Sequence, residues 1–403
     1  MTTALVLCGG GARAAYQVGV LKALAGILPD HTHNPFPIIC GTSAGAINAL
    51  AIAGRPGLFR LRVRKLELIW HNMQAEHIYR TDLWGIFKNS LRLALSLLHS
   101  GYGIGRSVAL LDNSPLRHLL SNYIRFRHID EAILSGELMA VSTTAMDYST
   151  GQSVSFFQGL HDQWGCGRSK GSRTGLSIDH LMASSAIPLV FPSQAIGSRY
   201  YGDGAMRQLT PLSPALRLGA DRIFTIGVSG NPTHHDAMDT PRQPPSVAQI
   251  ASHILNSTFI DSIESDLKTL NTINAVIDKK NLLNPHNVNN KTSAEFEKTT
   301  GKSQLKHIDH LCISPSTPID EIAQKHLHEL PRSIKIFLRA LGATKKGGGS
   351  SAASYLLFEA GFCRELIRLG HSDALQQKGN IQGFFGLERD AEGAHSTDVK
   401  KTA

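Results

Sequence analysis

The run Cys40-Gly41-Thr42-Ser43-Ala44-Gly45 constrains the fold of this chain more than any other stretch. The apolar residues Pro37 to Cys40 lead into it, and Ala46 to Ala53 beyond it are compatible with a helix, so the segment reads as strand, sharp turn, helix. In that context a Gly-x-Ser-x-Gly is a nucleophile elbow. Gly41 and Gly45 let neighbouring backbone pass close to the turn, and the Ser43 hydroxyl is pushed out at the carboxyl end of a strand, before the positive end of a helix. A serine so placed can attack an acyl carbon. In any other context the same five residues would be a glycine-rich turn with an incidental serine.

A second unit of the same kind opens the chain. Ala4 to Cys8 is a short apolar run, Gly9-Gly10-Gly11-Ala12-Arg13-Ala14 follows, and Ala15 to Ile27 has helical periodicity. Consecutive N–H groups in such a turn form a nest for a phosphate or for the oxyanion of an acyl-transfer intermediate. Gly9, Gly11 and Ala14 also satisfy Gly-x-Gly-x-x-Ala, the fingerprint of an NAD(P)-binding oxidoreductase. That fingerprint wants an acidic residue at the end of the second strand, where this chain has Cys40-Gly41 and the serine; Asp30 falls in the polar loop Pro29 to Pro35. The dinucleotide reading is therefore the runner-up.

The rest of the sequence alternates strands and helices. Ser107 to Leu134 reads as helical, Glu137 to Thr144 and Ser153 to Gln158 as two strands, Gly159 to Gly175 as a mobile loop, and Ser177 to Ser185 as a helix. Arg199 to Ala205 is a strand ending on Asp203 between Gly202 and Gly204, a setting that aims a carboxylate or simply makes an Asp-Gly turn. A helix over Pro211 to Leu218, a buried strand over Asp221 to Val228, a long helix over Ser246 to Val276 and a last strand over His307 to Ile313 follow. Lys280 to Ser303 reads as a polar linker. Beyond Pro315 the pattern is helical, broken at Lys345 to Ser351 and resumed over Ala353 to Leu369, with a polar tail after Leu387. The alternation argues an α/β layered fold with a largely parallel sheet.

With 403 residues the chain suits one large domain with extensions, or two domains. No apolar run approaches the roughly 20 residues of a membrane span. The first strand begins at Thr3, so no cleaved leader is expected. The five cysteines are scattered and suit a reduced cytoplasmic protein without a zinc site; His234-His235-Asp236, flanked by prolines, reads as an exposed loop and not as a metal site. A formal charge of +9 favours anionic partners, and the absence of a nucleic-acid motif points to a membrane surface. The cations concentrate in residues 54–106: between Gly54 and Arg92 there are eight (Arg55, Arg60, Arg62, Arg64, Lys65, Arg80, Lys88 and Arg92) against Glu67, Glu76 and Asp82. There Trp84, Phe87, Leu91, Leu95 and Leu98 recur at helical spacing. Such a helix either meets lipid or packs this stripe on the domain core, and the packed arrangement is the simpler expectation.

Four segments, in order and in register, resemble the patatin-like phospholipases: Gly9-Gly10-Gly11-Ala12-Arg13, Gly41-Thr42-Ser43-Ala44-Gly45, Ala183-Ser184-Ser185-Ala186-Ile187-Pro188 running on to Phe191-Pro192, and Asp203-Gly204-Ala205. The resemblance spans roughly Ala4 to Val228. It implies a three-layer α/β/α fold with a mainly parallel central sheet and a hydrolase domain over residues 1–315; the helical extension over 316–387 and the disordered tail over 388–403 are read from periodicity and polar composition and find no support in these motifs. It further implies a lipid acyl hydrolase, acting on a phospholipid or other lipid ester without a cofactor, cytoplasmic and peripheral at the membrane. Ser43 would be the nucleophile, Asp203 its general base, and backbone N–H groups within Gly9 to Arg13 the oxyanion hole. Ala14 departs from the glycine that usually follows the loop arginine, a sterically mild change at a helix start. The 19 histidines leave a triad open, His180 being the nearest in sequence to the third block. A lipid-binding protein that keeps the fold without turnover is the remaining alternative.

Overall fold

The computed structural model describes residues 1–98, 109–228, 250, 253–254, 256–257, 262–283, 306–340 and 349–387. The expectations for His234-His235-Asp236, for most of the 246–261 stretch, for the linker beyond residue 283, for the 345–348 break and for the tail lie outside the described residues, as do the side chains of Leu98 and Cys166.

The strands are β1 (Thr3–Leu7), β2 (Ile38–Thr42), β3 (Ala140–Asp147), β4 (Ser153–Gly159), β5 (Trp164–Cys166), β6 (Ser169–Arg173), β7 (Gln194–Ile196), β8 (Arg199–Asp203), β9 (Arg222–Ile226) and β10 (Asp309–Ile313). The helices are α1 (Ala15–Ile27), α2 (Ala44–Ala53), α3 (Phe59–His71), α4 (Leu83–Leu98), α5 (Ser114–Tyr123), α6 (Arg127–Leu134), α7 (Ile178–Ser184), α8 (Ser213–Arg217), α9 (Ser262–Leu283), α10 (Ile319–His326), α11 (Arg332–Ala340), α12 (Gly349–Leu356), α13 (Ala360–Gln376) and α14 (Lys378–Phe385).

They build one mixed sheet in the order β10-β9-β1-β2-β3-β4-β6-β5, with β8 pairing β3 and β7 pairing β8. The five strands from β10 to β3 are parallel, and Leu7 stands level with both Gly41 and Ile226. The loops after β1 and β2 therefore leave the sheet side by side. Strands buried on both faces read as continuous apolar runs, and here alternate side chains feed two cores. Leu5, Leu7 and Ile39 join the core shared with α1 to α3 and the C-terminal helices, whereas Ala4, Val6, Cys8, Ile38 and Cys40 pack with residues of α8 and α9. The result is the three-layer arrangement.

Three stretches differ from the sequence expectation. Residues 159–175 form a β5–β6 hairpin on the sheet edge, with β6 parallel to β4 and Trp164 stacked on Phe157 at 4.9 Å between ring centroids. The strand Ser-Lys-Gly-Ser-Arg lacks β-branched and aromatic residues, so tertiary pairing creates it and local propensity does not. The C-terminal stretch divides into α12 and α13, because Leu357 and Phe358 turn into the core and Glu359 is extended, which swings α13 onto α1. There the Tyr16 hydroxyl donates to the buried Asp373 at 2.9 Å, and the same carboxylate accepts from Ser316 N and Oγ. Finally, α4 keeps Ile86 in the core while its opposite side, with Trp84, Phe87, Leu91 and Leu95, is exposed; Trp84 is 74% exposed and stacks on Phe87. Periodicity locates a stripe, but only the packing decides which way it faces. Among the described residues no helix is long and apolar enough to cross a membrane.

Candidate active site

Ser43 sits between β2 and α2 with φ 56° and ψ −129°, a conformation that non-glycine residues rarely adopt and that costs on the order of 1–3 kcal/mol. The surroundings hold it there. Its N–H donates to Ser184 Oγ at 2.9 Å, Ser184 Oγ donates to Thr144 O at 2.6 Å, and its carbonyl accepts from Ala46 N and Ile47 N. The turn works only because α2 starts against β1: a Cβ on Gly45 would lie 2.3 Å from Leu7 O and 2.5 Å from Cys8 O. Gly41 is equally tight against Gly45 O and the Ala46 backbone.

The strained turn aims the hydroxyl at a carboxylate. Ser43 Oγ donates to Asp203 Oδ2 at 2.6 Å, and Asp203 Oδ1 accepts from Ala205 N at 2.9 Å across the short turn Gly204–Met206. Asp203 N donates to Ala186 O, which ties the end of β8 to the block that follows α7. Asp203 has no exposed surface. Burial pushes its carboxyl up to about 7, against the opposing effect of the bonds from Ser43 and Ala205, which favour the charged form.

The glycine loop lies across from the serine. Gly11 opens a short 3-10 turn, Gly11–Ala14, with φ 56°, and Arg13 N donates back to Gly10 O. The first N–H groups of such a turn have no acceptor inside it. Gly11 and Ser43 face the same cavity, while Gly9 borders a second one with Gly41, Thr42 and Gln208. Ala14 is fully buried and its carbonyl accepts from Asn48 Nδ2 at 3.1 Å; the same amide donates to Gln17 Oε1, and Asn48 Oδ1 accepts from Trp70 Nε1. Asn48, on α2, thus registers the glycine loop against the elbow. It carries no motif signal, since one asparagine in a helical stretch is unremarkable in sequence.

The cavity shared by Gly11 and Ser43 is apolar and open to solvent, with about 670 Å³ of empty space including its mouth, and is walled by Ile47, Leu66, Trp70, Leu120, Phe191 and Phe358 among others. Arg13 does not reach solvent: it is 3% exposed and its guanidinium binds the C-terminal helices. His180 accepts from Ser177 N in the cap of α7 and sets its ring edge on Phe156. Among the described residues no histidine hydrogen-bonds Ser43 or Asp203. Asp30, the acid nearest the dinucleotide spacing, lies off the strands, 82% exposed at its side chain and paired with Arg60.

A family model described as patatin-like phospholipase matches residues 5–216. No curated protein sequence matches the chain. Among solved structures, VipD from Legionella pneumophila is 11% identical, over 94% of this chain and 67% of that one, with a TM-score of 0.32. A chain of the heterodimeric ExoU-SpcU complex of the Pseudomonas aeruginosa type III secretion system is 16% identical, over 94% and 72%, with a TM-score of 0.26.

Proposed function

The chain belongs to the patatin-like phospholipase family, and from that footing we propose that it is a serine lipid acyl hydrolase with Ser43 as nucleophile and Asp203 as general base. The observation that carries the reading is the 2.6 Å bond from Ser43 Oγ to a buried carboxylate at the wall of an apolar cavity. An aspartate at its ordinary pKa of about 3.9 is a poor base. Burial brings Asp203 to about 7, close to neutral pH, where a general base is most effective.

Ser43 Oγ attacks the ester carbonyl as its proton passes to Asp203 Oδ2. The N–H groups of Gly10, Gly11 and Ala12 receive the oxyanion, and Asp203 then returns the proton to the departing alcohol, leaving an acyl group on Ser43. Water attacks that ester with its proton going to Asp203, the fatty acid leaves, and the proton goes back to Ser43. Ala205 N–H occupies Oδ1 and so reserves Oδ2 for the serine. The acyl chain lies in the cavity, where each buried methylene contributes about 0.8 kcal/mol to binding. No cofactor is needed at any step.

A fluorophosphonate probe tests this directly: the adduct is expected on Ser43, located by peptide mass spectrometry, with loss of fatty-acid release from phospholipid vesicles. An unlabelled Ser43 in an enzyme that still hydrolyses esters would sink the assignment.

The substrate lies in a membrane, and the exposed side of α4 supports a peripheral contact with an anionic one. Trp84, Phe87 and Leu91 suit the acyl boundary, and the neighbouring Lys88 and Arg92 suit lipid phosphates. Leu189, exposed and with φ 66°, projects from the segment whose Ile187 and Phe191 wall the cavity. Co-sedimentation with vesicles containing phosphatidylglycerol is expected for the wild type, weakened by salt, and is expected to fall by about tenfold or more in Trp84→Glu/Phe87→Glu. Equal sedimentation of both proteins would remove α4 from the contact.

A further inference from the structure

Arg13 is the one residue of the glycine loop whose side chain reaches far along the sequence. Its Nε donates to Ser354 Oγ at 2.7 Å, and its Nη2 donates to Asp320 Oδ1 at 2.6 Å, to Ser351 Oγ at 3.2 Å and to Ser351 O at 3.3 Å. The guanidinium also lies over the Tyr355 ring, 4.1 Å from its centroid. Two residues back, Gly11 presses on the same helix: a Cβ there would sit 2.2 Å from Tyr355 O. Backbone and side chain of the loop therefore both dock on α12. The helix is itself fixed, since Ser354 Oγ donates to Ser351 O at 2.6 Å and the buried Tyr79 donates to Leu356 O at 2.8 Å. Immediately after it, Phe358 walls the cavity that Gly11 and Ser43 share.

We propose that Arg13 is a positioning residue for the oxyanion donors, acting through α12, and that residues 349–358 are a working wall of the hydrolase site. The proposal rests on the Ser43–Asp203 reading given above. A turn containing Gly10 and Gly11 has many backbone states open to it, and an oxyanion hole functions only when its donors are held within a few tenths of an ångström of their places. The planar guanidinium, gripped at Nε and at Nη2 and stacked on a ring, selects one of those states. An ammonium would supply the charge without the fork. The stretch beyond residue 315 is then an extension in chain order and part of the hydrolase in function.

The test measures kcat and KM on a soluble short-chain ester, and the second-order rate of fluorophosphonate labelling, for the full-length wild type, Arg13→Lys, Arg13→Ala and Ser354→Ala. Arg13→Lys is expected to lose kcat about 100-fold, the order seen when one oxyanion donor is lost, with KM within about threefold. Labelling should slow by the same factor, because phosphonylation passes through the same oxyanion. Guanidinium or methylguanidinium at millimolar concentration is expected to restore part of the rate of Arg13→Ala, which replacement of a purely structural side chain would not show. Ser354→Ala, which leaves the arginine in place, is the milder variant should the others fold poorly; it is expected to lose kcat about tenfold at unchanged KM. Wild-type kcat in Arg13→Lys or Ser354→Ala, or losses matched by the unfolded fraction with no guanidinium rescue, would overturn the proposal. Its failure is separable from that of the dyad: a wild type that never labels on Ser43 removes the dyad, whereas Arg13 variants that label as fast as a labelling wild type remove only the role of Arg13.

Discussion

Replacing Asp203 with Asn is expected to lower kcat about 1,000-fold or more and, above pH 7, to raise the melting temperature. Both effects have one origin. Asn keeps the shape, can still accept from Ala205 N and can bond Ser43 Oγ, but it cannot take the serine proton. A histidine-assisted site would instead retain a histidine-dependent fraction of the activity. In the proposed mechanism the base must be ionised to work, so kcat/KM is expected to rise about tenfold per pH unit below about 7 and to level off above it. The stability effect has the opposite direction. The folded-state pKa of Asp203 is raised above its unfolded value of about 3.9, so the fold favours the neutral acid. The stabilisation this gives is complete below about pH 3.9 and is lost as pH rises through about 7, leaving an ion in a buried site. The asparagine is neutral throughout. The difference in melting temperature between variant and wild type should thus be positive at pH 8 and shrink toward pH 4, a comparison in which the other titrating groups cancel. A pH-independent difference would show that Asp203 does not titrate between fold and unfolded chain.

A large loss of stability is expected from one methyl group at Gly45. In Gly45→Ala the new Cβ meets Leu7 O and Cys8 O, at 2.3 and 2.5 Å. Both acceptors are backbone, in or just beyond the strand β1, which is bonded on both sides, so no rotamer change relieves the contact. Overpacking of this kind costs about 3 kcal/mol, and for a chain of this size that is a fall of roughly 3–4 °C in melting temperature. Part of the shift would come from prising α2 off β1, which also misplaces Ser43, so the folded fraction is expected to be poorly active. Gly26→Ala is the matched control. Gly26 lies in α1, where an added Cβ would have no neighbouring atom within 4 Å, and the substitution is expected to be neutral or to stabilise by about 0.5–1 kcal/mol. Thermal melts of the two variants side by side decide the point; equal melting temperatures would mean that the elbow tolerates the methyl.

The parts of this molecule that can be read from the sequence are those whose determinants are local. The elbow is strand, turn and helix within 38–53, and the glycine loop is the same unit within 3–27, so periodicity and glycine placement reveal both. The β3–β4 pair is visible for the same reason, two alternating runs around a turn. What stays hidden depends on partners distant in sequence. Ser-Lys-Gly-Ser-Arg becomes β6 only because β4 and β5 flank it. The role of Asn48 needs Ala14 and Trp70 on other elements. The stripe on α4 is legible as a stripe, while its exposure depends on Ile86 taking the core side. Phe358 and Ser354 belong to a helical stretch without any motif, and only their position against Arg13 and Gly11 connects them with the site.

The docking of α12 and α13 on the first turns of the chain also sets an order of events in folding. Arg13 and Ser354 are 341 residues apart and Tyr16 and Asp373 are 357 apart, so the contacts that fix the glycine loop are among the least local in the chain. Non-local contacts form late. At roughly 5–20 residues per second of synthesis, the elbow waits about 15–60 s before α12 is made. On the proposed reading the oxyanion loop is still unheld during that interval, so the serine of the nascent chain is made well before the contacts that would let it cleave a lipid. The proposed lipolytic competence would in this sense belong to the completed fold, acquired when its two distant parts close on each other.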